Sequence, residues 1–242
     1  ENMLALSGRL SEFLSRDHGP FRVRLHVEDH PVLRVAVERL LEDAWETFTA
    51  KYGFRPAGPV LVEVFPGQQD FAVRTVGFEG IVGVLGACFG KVVTMNSPRA
   101  LHPGSFLWTS TLWHEVAHVF AVQQSDEKTP RWFTEGLSTY EEKRYVEGWE
   151  FSGGGGWSSD LRLKTFQNYH LGKLIPLDRL NEGFGGGDVI FYYYYASLIH
   201  EFTEKTWGFE KIPQMLKKYA EGKKDPEAFK EVYGIEMKEF EK

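Results

Sequence analysis

The sequence predicts an α+β chain, with a small sheet in the N-terminal half and a mainly helical C-terminal half. Two observations carry this expectation. Between residues 21 and 96 the apolar residues alternate or run in short stretches bounded by glycine and proline, which is the pattern of strands. From about Phe106 onward they recur every three or four residues, which is the pattern of helices.

Residues 2–16 place Met3, Leu6, Leu10, Phe13 and Leu14 at helical spacing, predicting a short amphipathic helix that ends near His18-Gly19-Pro20. Phe21, Val23, Leu25 and Val27 alternate with Arg22, Arg24 and His26, predicting a half-buried strand over 21–28. A long helix follows over about 31–52, with Val32, Val35, Ala36, Leu40, Ala44 and Phe48 on one face and Gly53 and Pro56 as its stop. Pro59–Phe65 reads as a second strand, and the Pro66-Gly67 turn leads into a helical stretch holding Phe71 and Val73.

Ile81–Phe89 and Lys91–Asn96 read as two strands joined around Gly90 in a hairpin. The first has little side chain at alternate positions in Gly83-Val84-Leu85-Gly86-Ala87-Cys88. That suits an edge strand able to take up an extended peptide, or equally a bulged or tightly packed strand. Helices are expected from Phe106 to about Gln124, from Arg131 to Val146 after Pro130, near 158–169, and in the tail near 189–206, 209–222 and 226–233. The glycine-rich stretches Ser152–Gly156 and Gly183–Gly187 read as connections, with a gating loop over a cleft as the other option.

Composition bounds what this fold can serve. At 242 residues, 42% hydrophobic and 26% charged, the chain has ample length for a core and an ordinary globular make-up. A net charge of -6 gives no basic footprint, so nucleic acid is not a favoured partner. No apolar run reaches membrane-spanning length, so no transmembrane segment is expected. The lone cysteine, Cys88, excludes an intrachain disulfide framework and reads as a small buried hydrophobe. The chain begins at Glu1 without a methionine, charged leader or apolar signal core; processing or truncation is expected to have removed the true start, leaving localisation open.

One stretch carries chemistry: His114-Glu115-Val116-Ala117-His118, inside the amphipathic run that starts at Phe106. Histidines four apart on a helix differ by about 40° around the axis and about 6 Å along it, so both imidazoles can reach one zinc ion. Glu115 lies about 100° further round, beside the metal rather than on it, where an activated water needs a base. A shuffled chain of this composition would show such a motif roughly 3 times in 100, so a further ligand must support it. Catalytic zinc takes three protein ligands and one open position. The best third candidate is Glu135 in Arg131-Trp132-Phe133-Thr134-Glu135-Gly136, because 16 intervening residues suffice to end one helix and enter an antiparallel neighbour. Gly136 leaves room for close helix packing. Thr139 and Glu142, one and two turns after Glu135, lie on the face from which a ligating imidazole could be held. His102, His170 and His200 lack ligand partners at short spacing and read as ordinary surface or core residues.

His114-Glu115-x-x-His118 followed by Trp132-Phe133-Thr134-Glu135-Gly136 resembles the paired active-site helices of gluzincin zinc metallopeptidases, especially peptidase MA-like domains, and more distantly the aminopeptidase N and thermolysin families. The resemblance covers most of the chain and implies a zincin-like fold, with a small mixed sheet before the zinc helix and a helical half after it. It divides the chain into an α/β subdomain over 1–124 and a helical subdomain over 125–242 that carries the third ligand, together one catalytic unit. It implies one catalytic Zn2+ held by His114, His118 and Glu135, with Glu115 as general base and a peptide or protein as substrate. It also implies a C-terminal tyrosine that stabilises the oxyanion: Tyr192 by register with the following helix and Gly208, or Tyr195 one turn later. It slightly favours an extracytoplasmic location. Two departures stand out. Thr134 replaces the asparagine usual before the ligand glutamate in aminopeptidase N relatives, and no Gly-x-Met-Glu-Asn segment precedes the zinc helix. The expected function is therefore peptide hydrolysis by a zinc-activated water. The rivals are a zinc hydrolase of another amide or ester, and a catalytically degenerate binding module within a larger polypeptide.

Overall fold

The computed structural model describes residues 8–79, 83–145 and 159–241. It shows an α+β protein in which the strands among the described residues lie in the N-terminal half. In chain order the elements are β1 (Phe13–His18), β2 (Phe21–His26), α1 (His30–Tyr52), β3 (Val60–Phe65), α2 (Gln68–Val76), β4 (Gly86–Cys88) and β5 (Val92–Asn96). Helices then follow: α3 (Trp108–Gln124), α4 (Arg131–Tyr145), α5 (Ser159–His170), α6 (Val189–Trp207), α7 (Lys211–Ala220), α8 (Asp225–Tyr233) and α9 (Met237–Phe240). A 3-10 strap, Leu177–Gly185, lies between α5 and α6. The chain forms two compact units, one running to Lys51 and from Arg55 to Val119, the other made of Tyr52–Phe54 and the chain from Phe120 onward.

In the first unit the five strands form a mixed sheet in the order β1-β2-β3-β5-β4. The inner pairs β2/β3 and β3/β5 are parallel, and the outer pairs β1/β2 and β4/β5 antiparallel. Register explains which residues share a face. Phe21, Val23 and Leu25 stand beside Val60, Val62 and Val64, and the last two stand beside Val93 and Met95. All of these are buried, and α1 covers them, with Trp45 edge-on to Phe21 at 5.2 Å between ring centroids. On the opposite face Phe65 packs with Phe71 and Val73 of α2. There the fully buried Glu63 lies between Arg24, at 3.0 Å, and Arg74, at 2.7 Å, which keeps its charge paired.

Two expectations for this unit need correction. The helix proposed for 2–16 survives only over residues 8–12, which are helical and end in a 3-10 turn at Leu10–Glu12; Phe13–His18 is a strand, and residues 1–7 fall outside the described part. The left-handed Gly19 (φ 53°) turns the chain back so that β1 pairs with β2 from Phe13↔His26 to His18↔Phe21. Ladder hydrogen bonds to a neighbouring strand outweigh a short helical apolar spacing that cannot sustain a helix alone. On α1 Leu40, Ala44 and Phe48 are buried as expected, with Val37 and Leu41 beside them, whereas Val32 and Val35 are 77% and 50% exposed. The apolar residues that begin the helix stay in solvent.

The hairpin around Gly90 is present, with Gly86 opposite Met95 and Cys88 opposite Val93, and β4 is the sheet's edge. Its regular part is only three residues long, and residues 80–82 lie outside the description. Cys88 is half-buried rather than core.

In the second unit α4 and α6 pack together, and the tail helices close around them through Phe133, Leu137, Tyr219 and Phe229, all buried. A Cβ on Gly136 would come within 2.7 Å of the Ala196 Cβ and 2.8 Å of its carbonyl carbon, so glycine permits this helix contact. Asp225, at the start of α8, accepts from Trp132 Nε1 at 3.0 Å and from the Tyr219 hydroxyl at 2.7 Å, joining α4 to the tail. The strap before Gly183 and α9 carry no expectation from the sequence. The glycine stretch Ser152–Gly156 lies outside the described residues, whereas Gly183–Gly185 end the strap.

His200 of α6 is buried, and its Nε2 donates to the Phe133 carbonyl at 2.9 Å, beside the Trp132 and Phe133 rings. Burial pulls its pKa from 6.5 down to about 3. Between these two values the unfolded chain binds the extra proton and the native chain does not. The stabilisation is therefore complete above pH 6.5 and is lost as pH falls towards about 3, at about 1.4 kcal/mol per pH unit. His200→Gln, which can keep a donor but cannot titrate, should flatten this slope; equal slopes in urea midpoints measured from pH 6.5 to 4 would reject the assignment.

Candidate metal centre

α3 carries the motif histidines as expected, at positions 114 and 118 of a helix spanning Trp108–Gln124. Their side chains turn towards each other, with the two Nε2 atoms 3.1 Å apart and ring centroids at 4.8 Å. Nitrogens bound to one tetrahedral zinc at about 2.0–2.1 Å stand about 3.3 Å apart, so the pair fits the bite of a zinc ion. His118 is buried and His114 half-buried. The helix is held in the first unit by Leu112, Val116 and Ala117, which are fully buried, and by Trp113, whose ring meets Phe48 of α1 at 5.0 Å.

Glu115, next to the first histidine, is buried and lies against the backbone of β4. A Cβ on Gly86 would stand 2.6 Å from Glu115 Oε1 and 2.8 Å from its Cγ. The absence of a side chain at position 86 therefore creates the space that this carboxylate occupies. Gly86 lies in the low-volume stretch noted in the sequence, but its use as the seat of Glu115 was not legible there. Gly86→Ala should push the Glu115 side chain aside at modest cost in stability, because the end of a glutamate can move. A crystal structure of the variant should show the Glu115 carboxylate displaced from this place, and an unmoved side chain would show that the added methyl is accommodated by β4 instead.

Glu135 lies in the first turns of α4, half-buried, with Arg131 Nε 3.4 Å from its Oε1. Among the described residues, His114, His118 and Glu135 form one group able to hold a metal ion, each offering a ligand atom and all of these within 4.8 Å of one another. His102 and His170 are exposed, and His200 is occupied in the core as described above.

The helix start that presents Glu135 is secured from a distance in sequence. Asn181 Oδ1 accepts from the backbone N–H of Trp132 at 2.8 Å, satisfying one of the donors that a helix leaves open in its first turn. Nothing in the sequence indicated Asn181, because the pairing spans 49 positions. Arg131, by contrast, stands four residues before Glu135 and was open to detection by helix spacing alone.

Thr139 is fully buried, but its hydroxyl makes no hydrogen bond among the described residues, so it holds neither histidine in place. Glu142 is half-buried. Tyr192 is half-buried near the start of α6, its ring close against the backbone of Gly183. It lines an open cleft of about 510 Å³ with Ile175, Glu182, Gly183, Gly186, Gly187 and Asp188. Burial, and secondarily the charge of Asp188, raises the Tyr192 pKa, so its hydroxyl stays a proton donor at neutral pH. Tyr195 stacks on Phe191 at 6.1 Å, and burial raises its pKa as well.

No helix among the described residues is long and apolar enough to cross a membrane. A scan against protein-family models and a search of curated proteins each find no match to this chain, so function must be argued from its own residues and their geometry.

Proposed function

We propose that this protein is a zinc-dependent metallopeptidase of the gluzincin type, with a zincin-like arrangement of sheet and helices. The supporting observation is the donor set His114, His118 and Glu135, two facing imidazoles and a carboxylate within 4.8 Å of one another, with Glu115 adjacent in sequence. Two nitrogens and one oxygen make up a known catalytic zinc set that leaves a position open. Zinc bound there would supply a Lewis acid for the scissile carbonyl and lower the pKa of water towards neutrality.

The remaining chemistry belongs to the protein. Glu115 accepts a proton from the attacking water and delivers it to the nitrogen of the leaving amine as the peptide bond breaks. Its seat against Gly86 keeps the carboxylate in one place, so little reorganisation is needed at the transition state. Tyr192 is assigned as donor to the developing oxyanion, with Tyr195 as the alternative; the raised pKa of each keeps the required proton on oxygen. β4, as the edge of the sheet, offers backbone groups to an extended peptide beside the general base. A pure binding module would have no use for a buried carboxylate beside the histidines, and Glu115 therefore favours an enzyme.

Metal analysis tests the centre directly. The purified protein should hold about one zinc per chain, and His118→Ala should lose most of it. Failure of the wild type to bind zinc when it is supplied would remove the proposal. Cleavage of a peptide library by the loaded protein then separates a peptidase from a hydrolase of other amides or esters.

A further inference from the structure

We infer that the strap Leu177–Gly185 is a positioning device for Glu135, acting through Arg131 and Asn181. The inference rests on the zinc reading of the same site and adds residues that the motif does not contain. Glu135 sits where a helix is least secure, near an N-terminus whose first N–H groups have no partners within the helix. The strap meets this end twice. Asn181 Oδ1 takes the Trp132 N–H at 2.8 Å, and the Phe184 carbonyl accepts from Arg131 Nη1 at 3.3 Å.

Arg131 therefore reaches two ways. Its guanidinium carbon lies 5.6 Å from the centroid of the Phe184 ring, while its Nε faces Glu135 Oε1 at 3.4 Å. An ordinary exposed pair four residues apart would leave the rest of the guanidinium in water and contribute little. Here that remainder is fixed to the strap, so the cation restrains the direction of the Glu135 carboxylate. The Arg131 side chain is 54% exposed, which screens its charge; its contribution is direction rather than stability. Arg131 is thus a positioning residue, one step removed from the reacting atoms.

Chelator competition for zinc and the visible spectrum of the cobalt-substituted protein test this on the full chain. Loss of a group that orients a metal ligand typically weakens metal binding by 10–100-fold, and Arg131→Ala should do so by about tenfold or more. The cobalt bands of that variant should shift as Glu135 changes its mode of binding, while the thermal midpoint of the metal-free protein stays put. Arg131→Lys, which keeps charge but lacks the second arm, should recover only part of the affinity, and Asn181→Ala should weaken zinc in the same direction. Wild-type zinc affinity and cobalt spectrum in Arg131→Ala would overturn the inference, as would a fall in metal-free stability with an unchanged spectrum. A wild type that binds no zinc would instead overturn the reading on which the inference stands.

Discussion

Glu115→Gln is expected to retain one zinc per chain while losing peptide hydrolysis by roughly 10²–10⁴-fold, the usual worth of a positioned general base. The amide is nearly isosteric with the carboxylate, so it fits the same space against Gly86. It accepts no proton from water, and it lies outside the donor set, which leaves metal binding intact. The measurement is a pair: zinc by mass spectrometry or colorimetric release, and turnover of a peptide identified from the library. Equal turnover by both proteins would reject Glu115 as the base. Loss of zinc in the variant would show that this side chain holds the metal rather than serving the water.

Gly136→Ala carries the second large effect. The added methyl would stand 2.7–2.8 Å from Ala196 Cβ, carbonyl carbon and carbonyl oxygen. Two of these atoms are backbone, so α4 and α6 must move apart. Overpacking of this kind costs about 1–3 kcal/mol, partly offset by the higher helix propensity of alanine, worth up to about 1 kcal/mol. The shift falls on the residue after Glu135, so zinc affinity should fall together with the urea midpoint. Ala196→Gly in the same chain removes one of the three clashes and should restore part of both. A Gly136→Ala protein with wild-type stability and zinc affinity would show that the helices give way without disturbing the ligand.

Much of the framework was legible because it is periodic. Alternation revealed β2, a short apolar run bounded by proline revealed β3, the strands flanking Gly90 read as a hairpin, the low-volume run around Gly86 left an edge strand and a tightly packed one equally open, and three-to-four spacing located α1, α3, α4 and the tail helices. β1 was not legible, because Phe13 and Leu14 continue the helical spacing of Leu6 and Leu10, and the Gly19 turn settles the matter through pairing with β2. The α1 face was misread over its first turns because hydrophobic spacing does not say which turns a neighbour covers; Val32 and Val35 are left in solvent. Thr139 sits at a spacing suited to holding a histidine and is buried, yet its hydroxyl makes no hydrogen bond among the described residues. Helix position alone does not decide hydrogen bonding.

By itself, the sequence determined the chemistry on offer: two histidines and a glutamate within one helical turn, a second glutamate after a helix-length interval, and glycine where bulk would interfere. These follow from residue identity and helix geometry, which are local. The tertiary structure decided how those groups are held: Glu115 against the bare backbone of Gly86, α4 against Ala196 through Gly136, and the start of that helix tied to Asn181 and Phe184. Such contacts join residues far apart in the chain, and packing rather than propensity selects them. For that reason a motif can name candidate ligands while the fold supplies their arrangement.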